Sequence, residues 1–112
     1  MSQVTDTELL ERAEEVARKA DAYKELIFAH EVFKHKSKAY LASLKFQNER
    51  SSDAASETAA MATVAWHEYL EQEMETLKSA GRAKMELEAA QVRFEAMRSA
   101  LSARKAEVRS FG

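Results

Sequence analysis

The sequence predicts an all-α chain folded as a long antiparallel helical hairpin, with helices over about 5–48 and 64–109 joined by a short connecting helix. Three observations carry this expectation. The 112 residues include no proline and only two glycines, Gly81 and Gly112, too few turn-formers for a β-rich fold of this size. Alanine, glutamate, lysine, arginine and leucine dominate, the composition of long helices and coiled coils. Apolar residues recur in alternating steps of three and four, the period of a helix with one buried seam. A single domain over 1–112 accounts for the length.

The first helix opens on a capping box, Thr5 with Glu8 three residues on, and Asp6 adds negative charge at the positive end of the helix dipole. Its seam reads Leu9, Ala13, Val16, Ala20, Tyr23, Ile27, His30, Phe33, Ser37, Tyr40 and Leu44. The pattern stops at the polar run Gln47–Ser52, and Ser51-Ser52-Asp53 has the character of a turn and a cap. The small, alanine-rich stretch Ala54–Ala62 is expected as the short helix that closes the hairpin, with Thr63 capping the next one. The last helix offers the stripe Trp66, Leu70, Met74, Leu77, Ala80, Met85 or Leu87, Ala90, Phe94, Met97, Leu101 and Val108. Gly81 inside it costs about 1 kcal/mol relative to alanine. It points to a close approach of the partner helix or a slight bend, or in a sharper reading to a functional hinge.

Charge supports an antiparallel fold-back. Residues 34–50 carry a net +4 and residues 51–78 a net −5, while residues 1–33 carry −4 and residues 79–112 carry +3. Folding at Ser51–Ala62 sets acid beside base, with Lys34, Lys36 and Lys38 expected near Glu71, Glu73 and Glu75. The same register brings Glu8, Glu11 and Glu15 near Arg98, Arg104 and Lys105. Each exposed pair is worth only about 0.2–1 kcal/mol, so the pattern specifies register more than it stabilises.

Two helices bury one stripe each, yet Leu10, Leu26, Phe28, Val32, Leu41, Phe46, Tyr69 and Val92 fall outside the stripes. A second apolar face implies a partner, most simply another copy forming a four-helix bundle. Phe28, Phe46, Trp66 and Tyr69 are the candidate partner contacts. Trp66 and Tyr69, at the start of the last helix, either pack the connecting segment onto the long helices or form a recognition end.

The sequence offers few groups suited to catalysis or metal binding. Cysteine is absent, so there is no disulfide, thiolate metal site or cysteine nucleophile. The Glu-x-x-His motif of bundle di-iron sites fails at His30, His35 and His67, which follow Ile27, Val32 and Val64 by three residues. Glu31 with His35, and His67 with Glu71, have i,i+4 spacing, read as surface hydrogen bonds. His30 is expected half-buried on the seam and bonded across it, with pH sensing as the alternative. Neither a nucleophilic triad nor a glycine-rich phosphate loop can be drawn, so no catalytic, cofactor-binding or metal-ligating residue is assigned and an enzyme is not expected. The first residues, Met1–Asp6, lack the features of a signal peptide, and no apolar run approaches the ~18 residues of a bilayer span, so a cytoplasmic location without membrane contact is expected. A net charge of −2 gives no overall pull toward nucleic acid. Even so, Lys34, Lys36 and Lys38 beside Tyr40, and Arg93, Arg98 and Arg104 around Phe94, interleave cations with aromatics in the manner of single-strand binders.

From Ala29 onward the chain resembles a group of small helical proteins of bacteriophages and prophages. The resemblance lies in Ser51-Ser52-Asp53-Ala54-Ala55-Ser56-Glu57, in His67-Glu68-Tyr69-Leu70-Glu71, and in the basic, alanine-rich stretches Ala89–Ser99 and Ala103–Arg109. It implies an accessory protein associated with recombination or replication genes, and it carries over no catalytic residues. The leading expectation is therefore a non-enzymatic, oligomeric interaction protein, a homo-oligomer with a further protein partner. The alternatives are a direct single-stranded nucleic-acid binder and an inhibitor of a host protein.

Overall fold

The computed structural model describes residues 5–111; Met1–Val4 and Gly112, and with them most of the N-terminal segment read above, lie outside the described residues. The order is α1 (Asp6–Gln47), α2 (Asp53–Met61) and α3 (Val64–Phe111), with no strand among the described residues. The all-α hairpin expected from the sequence is the fold observed, with helix ends within a residue or two of those expected.

Local chemistry explains the boundaries. Thr5 and Glu8 close the capping box reciprocally, the Thr5 N–H donating to Glu8 Oε2 at 3.0 Å and the Glu8 N–H to Thr5 Oγ1 at 3.1 Å. Ser52 caps α2, its hydroxyl accepting the Ala55 N–H at 3.1 Å. Thr63 caps α3 by accepting the Trp66 N–H at 3.1 Å, and its own hydroxyl donates back to the Ala60 carbonyl at 2.7 Å. The connection is tied down by Ser56, buried in α2, which accepts the Arg50 N–H at 2.8 Å and donates to the Ser52 carbonyl at 3.0 Å. Lys45 reaches Asp53 at 2.8 Å across the same turn, and the bond to that carboxylate holds the ammonium pKa above its ordinary value.

The chain divides into two compact units, Glu25–Gly81 and the pairing of Met1–Lys24 with Arg82–Gly112. In each, α1 and α3 run antiparallel. Within Glu25–Gly81 the seam is made by Phe33, Tyr40 and Leu44 of α1, by Trp66, Tyr69, Thr76 and Ala80 of α3, and by Ala60 of α2. In the other unit Val16, Ala20 and Tyr23 face Ala83, Leu87, Ala90 and Phe94. Among the described residues the buried apolar side chains are few and mostly small: Leu44, Ala60, Ala80, Ala83 and Ala90. Alanine lets two backbones approach closely but contributes little apolar area.

The structure corrects the seam at several places. In α3 it runs Trp66, Tyr69, Glu73, Thr76, Ala80, Ala83, Leu87, Ala90, Phe94, Met97 and Leu101, so Leu70, Met74, Leu77, Met85 and Val108 are exposed. The reason is phase. This set keeps strict three–four alternation, whereas the more apolar Leu70–Leu77 stripe joins Ala80 only by a slip. In α1, Leu26 turns inward and Ile27 lies at the exposed edge; Val32 and Leu41 are half-buried rather than on a second face. Gly81 shows no close approach: a Cβ placed there meets nothing within 4 Å.

Candidate interaction surface

The aromatic residues gather in the Glu25–Gly81 unit because Phe33 and Tyr40 of α1 and Trp66 and Tyr69 of α3 share the seam. Tyr69 lies at the centre. Its ring stacks on Tyr40 at 4.8 Å and on Trp66 at 5.7 Å, and meets Phe33 edge-on at 5.4 Å. Its hydroxyl donates to the Phe33 carbonyl. Burial, then the nearby Glu73 carboxylate and Tyr40, push the phenol pKa above its ordinary value. Two of the candidate partner contacts, Trp66 and Tyr69, are therefore half-buried parts of the cluster that holds α1 to α3. The other two, Phe28 and Phe46, are 71% and 81% exposed on α1. They stand 18 residues apart, a whole number of helical turns, and so share the face turned away from the seam.

The charged residues depart from the expected register. Glu15 accepts from Arg93 across the helices and from Arg12 on its own helix at 2.8 Å. The Arg93 guanidinium first, and Arg12 second, hold its carboxyl below the ordinary carboxylate range. Lys19 reaches Glu86 at 3.0 Å. Glu73, expected beside a lysine, instead has His30 Nε2 3.8 Å away, close enough for an ion pair when the imidazole is protonated but too far for a hydrogen bond. Among the described ion pairs none uses Lys34, Lys36 or Lys38, all of which are exposed. The expected lysine–glutamate ladder is replaced by the aromatic cluster, which sets the rotation of α3.

The candidate nucleic-acid contacts thus fall into two groups. Lys34, Lys36 and Lys38 belong to one unit; Arg93, Arg98 and Arg104 belong to the other. Arg93 is engaged by Glu15 and Arg98 by Glu95 at 2.8 Å. Arg104 lines a shallow groove with Leu101, Lys105 and Val108. Among the described residues no group of three or more His, Asp and Glu side chains is placed to hold a metal ion, and no helix is long and apolar enough to cross a membrane.

The exposed stripe Leu70, Met74 and Leu77 is the surface feature that apolar content alone places in the seam. The unbroken heptad phase from Trp66 to Leu101 was the signal that places it outside. Compared with protein-family models, curated proteins and solved structures, the chain matches none of them.

Proposed function

We propose that this chain is a non-enzymatic interaction protein that completes its core by assembling with a second copy and with a further protein partner. The observation that carries this reading is the imbalance between buried and exposed apolar side chains. Leu44 is the one large buried residue among the described ones, while Leu10, Phe28, Phe46, Met74, Met85 and Val92 are exposed. The proposed setting, an accessory to phage DNA recombination or replication in the host cytoplasm, rests on the resemblance of the chain from Ala29 onward.

One observation favours a second reading. The exposed Lys34, Lys36 and Lys38, free of ion pairs among the described residues, suit contact with the backbone of single-stranded nucleic acid. Solution mass by light scattering, in low and high salt and with a single-stranded oligonucleotide, separates the two. An apolar assembly keeps its mass in high salt and ignores the oligonucleotide. A phosphate contact shifts mass with oligonucleotide and loses the shift in salt. A strict monomer that captures neither would defeat both readings.

A further inference from the structure

The stripe Leu70, Met74, Leu77 and Gly81 has the three–four spacing of a helix-pairing face, yet its side chains lie outside the seam, Met74 at 56% and Leu77 at 47% exposure. All four residues fall in the Glu25–Gly81 unit, on one continuous helix. We infer that this stripe is the face through which the chain self-associates, packed two-fold and antiparallel against the same stripe of a second copy. The inference rests on the interaction-protein reading and names the surface and the occupant.

Self-complementarity selects a second copy. In an antiparallel pair the two-fold axis requires that if residue i faces j, then j faces i. Placing the axis beside Glu75 and Thr76 sets Met74 of one copy against Leu77 of the other, twice. The same register sets Leu70 against Gly81, where nothing lies within 4 Å of the Cβ position and a leucine side chain can seat. The flanking positions then bring Glu71 of one copy to Lys78 of the other, again twice. Both side chains are exposed, and neither takes part in a described ion pair. A shallow groove lined by His67, Leu70, Glu71, Met74, Glu75 and Lys78 runs along this face. On α1, Ile27 borders it at the level of Leu77, as the His30–Glu73 register dictates, and widens the apolar strip. Charge and shape thus match this face to itself in one register. A nucleic-acid backbone would find Glu71 and Glu75 in its way.

The test uses the full chain and sedimentation or light scattering over a range of concentrations. Glu71→Lys alone sets lysine against Lys78 at two symmetric places, and Lys78→Glu alone sets glutamate against Glu71. Each is expected to weaken self-association about tenfold. An equimolar mixture of the two, or the double variant, restores opposite charges at both places and recovers the wild-type dissociation constant. Met74→Glu is expected to abolish association, with circular dichroism recording whether the helices persist. If the single variants associate like wild type, or the mixture is no better than its components, this face is not the interface, although the wild-type oligomer would still support the interaction reading. A wild-type chain that stays monomeric at every concentration overturns the reading itself and this inference with it.

Discussion

Tyr69 gives the most direct test of what holds the helices together. Tyr69→Phe keeps the ring and its contacts with Tyr40, Trp66 and Phe33 but removes the hydroxyl that donates to the Phe33 carbonyl. One hydrogen bond of this kind is worth about 1 kcal/mol. For a domain of this size that lowers Tm by about 4 °C. Tyr69→Ala also removes three ring contacts, each worth about 0.5–1.5 kcal/mol beyond area burial, and leaves a gap at the centre of the aromatic cluster. The total is expected near 3 kcal/mol, at the low end for an aromatic-to-alanine change because the site is half-buried. Thermal and urea unfolding are followed by far-ultraviolet circular dichroism and by the fluorescence of Trp66, the one tryptophan, which stacks on Tyr69 at an interplanar angle of 8°. If Tyr69→Ala costs no more than Tyr69→Phe, the ring stack does not hold α1 to α3 and this account of the seam is wrong.

Other expectations follow from single residues. Ser56→Ala leaves the Arg50 N–H without its part-buried acceptor and should cost about 1 kcal/mol in urea unfolding, whereas Ser56→Thr keeps the acceptor. Gly81→Ala meets open space within the chain and should stabilise the helix by about 0.5–1 kcal/mol in dilute protein, while the added methyl weakens self-association through the proposed face; a destabilised monomer would contradict the first half. Glu15 has a lowered pKa, so its pairing stabilises the fold above its ordinary value of 4.5 and is lost as pH falls through the folded-state value. Arg93→Gln should flatten that acid limb of the stability–pH curve. Tyr69 has a raised pKa, so stability is fully present below its ordinary value of 10.0 and is lost as pH rises through the folded-state value, because the unfolded chain gives up the proton first. Absorbance of the phenolate would show a tyrosine that titrates late and with unfolding.

The fold was legible where local chemistry decides it. Thr5 with Glu8, Ser52 and Thr63 are caps whose side chains satisfy nearby N–H groups, and they mark the helix ends. The rotation of α3 about its axis was less legible. Leu70, Met74 and Leu77 are more apolar than Tyr69, Glu73 and Thr76, and composition alone favours them for the seam. The aromatic stack and the alanines at Ala80, Ala83 and Ala90 decide otherwise, because their contacts require α1 to lie on that side. The same rotation reassigns the charges: Glu73 turns toward His30, and Lys34, Lys36 and Lys38 are left in solvent. Of the candidate surface residues, Phe28 and Phe46 were recognised from their place outside the stripe. Trp66 and Tyr69 are absorbed by packing that depends on residues some thirty positions away, beyond the reach of periodicity.

The closing turn also bears on the order in which the chain assembles. Contacts between α1 and α3 grow more remote in sequence with distance from α2: Tyr69 and Phe33 are 36 residues apart, Lys19 and Glu86 are 67, and Glu15 and Arg93 are 78. Forming the last directly from an open chain costs only about 0.7 kcal/mol more loop entropy than forming the first, but once the aromatic cluster is in place the loop still to be closed is far shorter. Zipping outward from Ser56 and Tyr69 is thus the route of least entropy. Along it, amide exchange should be slowest beside the turn and faster toward Thr5. The small α2, with its buried serine, then acts less as a connector than as the point from which the two long helices find their register.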